Sequence, residues 1–474
     1  MNSKVSITVI LKIAVTLMLP NIGMTQSSVE PVEISRQEDL ERYQFQLEEF
    51  ASQFGPMDNS LLEPLSGMLS ILVEKGEFEQ VAEIQNRQIS IMRANFGFEN
   101  PDLIPLLRSM IQVQQVLGDW ESISAHLEHI RFLIGAHYGP HSEELLLAMD
   151  NQAEWLLARF YLGDVRKQSD NFLHARSLYR DMQQLAEDVY GEDSPDLYTW
   201  HYKRAYNLAL MVQLLNTKDS FAYEFLNDLV RLDGTFRLQQ GNRPASTRGN
   251  SLGVWNVRNR DFVLGEGYLR QAQGFINGIR EIAEGYGDKE AQAISHIYRG
   301  DYNVLMGRNS GRRQYNEAQE RLLEAGISST DLDEFFKKPM PLPIPQFYQR
   351  FDDLLAYQRS ITAAKDNVPE DVLHLGIFNA WHENAPAVLK PISPDPLLQI
   401  GMPQYLVDLR FTISSRGSVS SVDIIRSVPD DKRIAREGLR AVRGIKFRPV
   451  IESGKAVRAK DLQMRYIFAQ RLQE

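Results

Sequence analysis

The chain has 474 residues, with 52 Lys and Arg against 62 Asp and Glu, a formal charge of -10 and no cysteine. At about 100–200 residues per domain, this length predicts two to four domains, or a repeat array with an added module. The hydrophobic fraction of 43% and the charged fraction of 24% are typical of a globular chain and exclude wholesale disorder. The absence of cysteine excludes disulfides, thiolate zinc sites, iron–sulfur clusters and a cysteine nucleophile.

The first 26 residues have the layout of a secretory signal peptide. Lys4 precedes an apolar stretch from Val5 to Leu19, which is interrupted by Lys12 and followed by small and polar residues. A charged start, a short apolar core and a small-residue end are the three parts of such a signal, whereas a membrane-spanning helix needs about 20 mostly apolar residues. We therefore expect residues 1–26 to be a cleaved signal peptide and the protein to lie in the periplasm. The alternative is an uncleaved segment that anchors the chain in the inner membrane, facing the periplasm.

The strongest internal signal is an aromatic residue followed by glycine at a repeated interval. The first three pairs lie 42 residues apart, and before four of the pairs another aromatic residue lies 18 positions upstream. The pairs are Phe54-Gly55, Phe96-Gly97, Tyr138-Gly139, Tyr190-Gly191 and Tyr286-Gly287, and the upstream residues are Phe78, Trp120, Phe172 and Tyr268. A fixed period of this length is typical of repeat architectures.

Each period is predicted to contain two helices. The first starts near the upstream aromatic residue and ends at the aromatic–glycine pair, because glycine readily adopts the left-handed conformation that closes many helices. A polar turn follows, and the second helix has apolar residues spaced by three and four, as in Leu103, Leu106, Leu107 and Met110. These features predict a mainly α chain, with an α–α superhelix of repeats over residues 35–336.

The period and two stretches of sequence resemble tetratricopeptide repeats of the 42-residue kind found in kinesin light chains. The stretches are Gly-Glu-Phe-Glu-Gln-Val-Ala-Glu-Ile at 76–84 and Tyr-Gly-Glu-Asp-Ser-Pro-Asp-Leu at 190–197. The resemblance implies stacked repeats whose concave surface holds extended peptides or helices of partner proteins. It names no particular ligand, because a fold alone does not define one.

A proline-rich connector, residues 337–400, is predicted between the array and a terminal module. Prolines alternate with other residues from Pro339 to Pro345, a pattern that favours polyproline II and cannot continue a helix. Residues 346–382 have the pattern of a short helical segment, and a second proline-rich stretch, 386–396, follows it. We expect this connector to act as a stiff spacer.

Residues 401–474 are predicted to form a small α+β module in the order β-β-α-β. The first strand has apolar residues at alternate positions, as a half-buried strand does: Val407, Leu409, Phe411 and Ile413. A second strand follows a Gly-containing turn, and a helix begins after Asp431. The third strand is predicted at Lys460–Phe468.

The module resembles the C-terminal domain of TonB-type energy transducers. The likeness covers roughly residues 395–470 and includes Asp-Leu-Arg-Phe-Thr-Ile at 408–413 and the Phe-Arg-Pro exit from the helix at 447–449. It implies that the third strand presents an open edge to which a partner's segment adds as a further strand. The residues of that edge are Asp461, Gln463, Arg465 and Ile467. The alternative is that this strand only completes the sheet, with residues 386–400 covering its edge.

Three further patterns resemble catalytic or ligand sites but lack the context that those sites need. Residues 249–253 match a nucleophile elbow around Ser251, but a polar loop precedes them where a buried strand is required. Gly265 and Gly267 lack the third glycine of a dinucleotide site. His126 and His129 lie three apart on a predicted helix, and His137 and His141 lie four apart across a turn. Neither pair has the further ligands on a matching face that a zinc site needs. We therefore expect no catalytic residue, no metal and no cofactor.

Charge is divided unevenly between the array and the module. Residues 401–474 contain 15 Lys and Arg against 8 Asp and Glu, a net charge of +7, which leaves -17 for residues 1–400. A basic module beside an acidic array favours docking of one on the other, contact with anionic lipid head groups, or an acidic receptor segment. Nucleic acid is not an expected partner, because the chain has no basic–aromatic binding motif.

Together these observations predict a periplasmic adaptor that performs no chemistry. Its array would bind one protein, and its terminal module another, such as an outer-membrane receptor or a peptide segment. The rival hypothesis is a membrane-anchored energy-transducer component that is coupled to an inner-membrane motor and serves outer-membrane receptor transport. A hydrolase centred on Ser251 is the third class.

Overall fold

The computed structural model describes residues 30–162, 168–216, 220–233, 265–307, 311–362, 372–380 and 404–469. The chain divides into two units, residues 1–95 and 96–474. The predicted signal peptide, the Ser251 motif and the second proline-rich stretch lie outside the described residues. None of the helices in the described ranges combines the length and apolar character that a membrane crossing requires.

The described part of the first unit is helical. Its elements are α1 (Glu30–Phe54), a 3-10 turn (Asn59–Leu61), α2 (Leu62–Lys75) and α3 (Phe78–Phe96), which ends at the boundary. Apolar side chains of these helices form one buried cluster: Leu40, Leu47, Leu61, Leu65, Met68 and Ile91. A methyl group on Gly67 would lie 2.4 Å from the ring of Tyr43, so glycine allows α1 and α2 to pack closely.

The second unit begins with ten helices among its described residues. They are α4 (Leu103–Leu117), α5 (Trp120–Tyr138), α6 (Glu143–Leu162), α7 (Gln168–Tyr190), α8 (Leu197–Leu215), α9 (Ser220–Asp233), α10 (Glu266–Tyr286), α11 (Lys289–Leu305), α12 (Arg312–Glu324) and α13 (Ser329–Lys337). Each helix from α4 to α8 packs on the next, and the series continues from α8 through α10 and α11 to α12. This is an array of helical hairpins.

All five aromatic–glycine pairs end a helix, as predicted. The helices are α1, α3, α5, α7 and α10, and the five glycines have φ between +68° and +101°. Residues with a Cβ atom rarely adopt this backbone conformation, so glycine stops the helix and turns the chain into the next one. The period in the sequence is therefore the period of the helix pairs, and the prediction of tetratricopeptide-like repeats is confirmed.

One buried histidine of the array is expected to make the free energy of unfolding depend on pH. His296 on α11 is buried, and burial lowers its pKa from 6.5 to about 4, with Arg299 and Arg321 adding to the effect. Because the pKa of His296 is lower in the folded than in the unfolded chain, the contribution of the neutral side chain to the free energy of unfolding is fully present above pH 6.5. That contribution is lost as the pH falls towards 4. Urea unfolding at pH 7 and at pH 4.5 should show a smaller loss of stability in His296→Gln than in the wild type. Equal losses would contradict this account.

Residues 337–362 of the connector belong to the core of the second unit, so for this described part the prediction of a stiff spacer is wrong. After α13, β1 (Met340–Leu342) pairs antiparallel with β5 (Lys446–Arg448), and the side chains of Met340, Leu342 and Ile344 are buried. Proline is tolerated in an edge strand because its missing N–H faces away from the neighbour.

The segment after β1 also differs from the predicted helix over 346–382. Only α14 (Phe351–Thr362) is helical within the described part of that range, and β2 (His374–Ala380) is a strand.

A buried ion pair joins β5 to the array. The Arg448 Nε lies 2.9 Å from Asp301 Oδ1, and its Nη2 lies 2.7 Å from Oδ2, with the two side chains 0% and 2% exposed. The Tyr315 hydroxyl donates to the same carboxylate at 2.8 Å, and the guanidinium lies 4.6 Å from the ring centre of Phe335. Burial of two charges removes their hydration, and these hydrogen bonds and ring contacts compensate for that loss.

The terminal module has the predicted β-β-α-β order. Its main elements are β3 (Gln404–Ile413), β4 (Val419–Val428), α15 (Lys432–Gly444) and β8 (Ala459–Ala469), with the short strands β5, β6 (Val450–Glu452) and β7 (Lys455–Val457) between α15 and β8. The sheet order is β2-β8-β3-β4, in which only β2 and β8 are parallel. The alternating apolar residues of β3 are all buried, as predicted, in one cluster with Leu462, Met464 and Tyr466.

α15 packs on the sheet through a narrow stripe that includes a glycine. A methyl group on Gly438 would lie 2.7 Å from the Cβ of Val407, so Gly438→Ala overpacks the core. Overpacking costs about 1–3 kcal/mol, whereas alanine gains about 1 kcal/mol in helix propensity. We therefore expect a lower free energy of unfolding for Gly438→Ala, measured by urea denaturation. Gly444→Ala, on the same helix with open space around it, is the control and should not be destabilised.

Candidate functional site

The four residues predicted to bind a partner lie on β8, which is an inner strand of the described sheet. β3 pairs with one side of β8 and β2 with the other. The prediction of an open edge at β8 is therefore wrong in this structure. The strand that covers the edge is His374–Ala380, whereas the covering segment considered from the sequence, 386–400, lies outside the described residues.

The pairing with β2 uses three of the four predicted residues. The amide of Gln463 donates to the carbonyl of Leu373 at 3.0 Å, and because amide directions alternate along a strand, those of Arg465 and Ile467 also face β2. The opposed residues are His374 with Gln463, Ile377 with Arg465 and Asn379 with Ile467. The predicted residues thus form the surface on β8 to which another strand adds, and the chain itself supplies that strand.

Asp461 differs from the other three predicted residues. It is exposed, its φ is +56°, and it lies where the pairing of β8 with β3 is interrupted between Phe411 and Ile413. A non-glycine residue in this conformation marks a local irregularity of the strand. The paired edge therefore begins at Gln463, and Asp461 lies beside it.

The Arg465 side chain is engaged within the module. Its Nε donates to Asp408 Oδ1 at 2.7 Å and its Nη2 to Oδ2 at 3.0 Å, and Arg426 donates to the same carboxylate at 2.9 and 3.1 Å. Burial alone would raise the pKa of Asp408, but the two guanidinium groups lower it below its ordinary value. The Arg465 guanidinium therefore links β8, β3 and β4. The backbone amide of Arg465 is the group that faces the added strand.

The two outer strands of the described four-stranded sheet are β2 and β4, and the sequence suggested neither as an open edge. Ile424, Ile425 and Val428 on β4 are 43%, 47% and 47% exposed. The pairing with β3 shifts register twice, and Ser421 has φ of +49°. Register shifts of this kind hinder an incoming strand, so β4 is a poorer acceptor than β8. The signal in the sequence was the adjacent Ile424 and Ile425, which breaks the alternation of a regular strand.

The remaining candidate residues have structural roles where they are described. His129 donates from Nε2 to the carbonyl of Phe98 at 3.0 Å and stacks on its ring, and His126 lies 3.0 Å from the Gln114 amide. His137 packs edge-on against Tyr138, and His141 lies 3.2 Å from Asp188. Gly265 takes the left-handed conformation before α10 and packs against Val212. The described residues contain no group of three or more side chains that could hold a metal ion.

Comparisons with known proteins give only remote likenesses. No model of a protein family matches the chain, and no curated protein matches it in sequence. A kinesin light chain from Podosopora anserina with nearly identical TPR-like repeats is 12% identical, with a TM-score of 0.28, over 42% of this chain and 90% of that one. BtubC (BKLC) from P. vanneervenii is 11% identical, with a TM-score of 0.24, over 64% and 94%. Both scores are low, so the repeat assignment rests on the helix pairs and glycine stops described above.

Proposed function

We propose that this protein is an interaction scaffold that performs no chemistry and whose terminal module binds an extended segment of a partner by strand addition at β8. The observation that carries the proposal is the pairing of β2 with β8. A segment from outside the β-β-α-β module already adds to β8 as a parallel strand, in register with Gln463, Arg465 and Ile467. The edge is therefore suited to an added strand, and a partner's segment would take the place of β2.

The seat of β2 indicates what a partner's segment must supply. Leu375 is fully buried in the same apolar cluster as Val407 and Met464, and the Leu373 carbonyl accepts the Gln463 amide. An incoming segment needs to run parallel to β8, to place a carbonyl opposite Gln463 and to bury an apolar side chain where Leu375 lies. Main-chain hydrogen bonds then contribute affinity, and the apolar position contributes specificity.

The surface charge of the module favours an acidic partner. α15 exposes five cations along its length: Lys432, Arg433, Arg436, Arg440 and Arg443. Together with the net charge of +7 of residues 401–474, this helix would attract an acidic segment and increase its rate of association at low salt. The same cations support the contact with anionic lipid head groups that the sequence suggested.

The test uses a peptide with the sequence of residues 372–380 as the probe, and a full-length chain in which Gly376→Ala weakens the resident strand. We expect the peptide to bind this chain, and to bind equally well when Arg465→Ala is added. Binding should be lost when Arg465→Pro is added. Both substitutions remove the guanidinium, but only proline removes the edge amide. Equal binding by the alanine and proline variants would contradict strand addition at β8.

We further propose that the protein is exported to the periplasm, a proposal supported by the signal-like layout of residues 1–26. Cell fractionation followed by N-terminal sequencing tests it, and we expect a mature chain that begins near residue 26. A chain found in the membrane fraction with Val5–Leu19 intact would instead favour the anchored energy-transducer hypothesis.

A further inference from the structure

The array holds part of the connector by its backbone. This part, residues 343–351, follows β1 and is called the strap here. The Tyr202 hydroxyl on α8 donates to the carbonyl of Ile344 at 2.7 Å, and the Tyr298 hydroxyl on α11 donates to the carbonyl of Gln346 at 2.7 Å. Two neighbouring helices therefore bind two alternate carbonyls of the same non-helical segment. Contacts to the main chain tolerate different side chains.

One strap side chain fits between tyrosines. The ring centre of Phe347 lies 5.1 Å from that of Tyr298, 5.7 Å from that of Tyr198 and 6.0 Å from that of Tyr202. The Tyr298 hydroxyl also accepts from the amide of Tyr348 at 3.2 Å. We call these three tyrosines the tyrosine face. It selects an aromatic residue immediately after the second bound carbonyl, because ring pairs at these distances attract one another.

Two carboxylates bind the end of the strap. Asp288 accepts from the side chain of Gln349 at 3.1 Å, and Glu290 accepts from Arg350 at 2.9 Å and from the amide of Phe351. Both acids lie at the start of α11. The strap therefore places a cation, three positions after the aromatic residue, against Glu290.

The strap divides into a buried part and a surface part. Pro343 and Ile344 are buried with β1, whereas Pro345 and Phe347 are only half-buried and Gln346 is exposed. Residues 345–350 are therefore the accessible part of the strap, and Pro343 and Ile344 must leave with them before a partner's carbonyl can reach the Tyr202 hydroxyl. The two prolines have no N–H, so neither leaves an unpaired backbone donor at the site.

The strap does not satisfy every polar group of the face. The Tyr198 hydroxyl is buried, and no atom of the described residues forms a hydrogen bond with it. A buried hydroxyl without a partner is unfavourable. A segment that placed an acceptor there would match the face better than the chain's own strap does.

We propose that the tyrosine face, with Asp288 and Glu290, is a peptide-binding site that is occupied here by the strap and is taken by a segment of a partner protein when the strap leaves. The partner's segment has the pattern proline, any residue, proline, any residue, aromatic, with a basic residue three positions later, and it brings an acceptor to Tyr198. This site extends the scaffold role proposed above, but it uses the array and not β8. Either site can therefore fail without the other.

The experiment uses full-length chains and, as the probe, a fluorescent peptide with the sequence of residues 342–352. Phe347→Ala in the protein weakens the resident strap. We expect this variant to bind the peptide at least tenfold more tightly than the wild type in fluorescence anisotropy. Adding Tyr202→Phe and Tyr298→Phe, which keep the rings and remove the hydroxyls, should weaken binding about tenfold. A peptide with alanine at the Phe347 position is the negative control.

Absence of peptide binding to a folded Phe347→Ala chain would overturn the proposal. So would self-association of that variant in size-exclusion chromatography with no binding of added peptide, because the occupant would then be the strap of a second copy. If Phe347→Ala does not fold, the wild type is studied with excess peptide by hydrogen exchange. Faster exchange of the Tyr348 amide supports the proposal, and unchanged exchange at saturating peptide overturns it. The Arg465 variants, tested separately, report only on β8.

Discussion

Arg448→Ala is expected to lower the free energy of unfolding of the second unit by about 3–5 kcal/mol, because it leaves the Asp301 carboxylate buried without its cation. The two side chains are 0% and 2% exposed, and the guanidinium also lies over Phe335 and close to the Met340 sulfur. The loss therefore includes packing as well as charge. Urea denaturation of the full chain, followed by circular dichroism, measures the effect.

A double replacement separates charge from packing. Asp301→Leu with Arg448→Met removes both charges and keeps apolar volume, and buried pairs replaced in this way often lose little stability. We expect the double variant to be more stable than either single variant. A loss below about 1 kcal/mol for Arg448→Ala would mean that Asp301 is rehydrated, and that the junction is less closed than its exposure indicates.

Gly376→Ala is expected to release β2 from β8. Gly376 has φ of +92°, and a methyl group there would lie 1.9 Å from the carbonyl oxygen of Ile361. The left-handed backbone costs a residue with a side chain about 1–2 kcal/mol, and a contact this short with main-chain atoms cannot be relieved by rotating a side chain. Hydrogen exchange should then be faster at the amides of Gln463, Arg465 and Ile467.

The control for this prediction is Gly444→Ala, which has no atom within 4 Å of the added methyl group. It should leave exchange in β8 unchanged. The released edge should also bind the 372–380 peptide, whereas the wild type should bind it weakly because β2 occupies the site. Unchanged exchange at Gln463 in Gly376→Ala would show that β2 stays in place and that its seat adapts.

Local patterns in the sequence predicted most of the helices and the module correctly. Phe96-Gly97 and Tyr138-Gly139 end helices because the stop requires only the conformational freedom of glycine, which acts within one turn. The alternation of Val407, Leu409 and Phe411 predicted β3 because one face of the sheet is buried. Each of these signals lies inside the element that it specifies.

The pairings that connect distant segments could not be predicted in the same way. Met340 pairs with Arg448, which follows it by more than a hundred residues, and the prolines around Met340 indicated polyproline II. Leu375 lies in a short apolar run, and periodicity alone does not separate a buried strand from a helix there. For β8, the sequence identified the residues of the edge, but the strand that covers them belongs to a segment with a helical pattern.

The pairing of β1 with β5 has a consequence for synthesis of the chain. Asp301 and β1 emerge from the ribosome about a hundred residues or more before Arg448 and β5, so the array is made before the groups that complete its core. Until then Asp301 lacks its cation and Met340 and Leu342 lack their neighbouring strand. A chain that stops before Arg448 should therefore be exposed to proteases and chaperones. Only a chain that extends through β5 can complete the core between β1, β5 and Asp301.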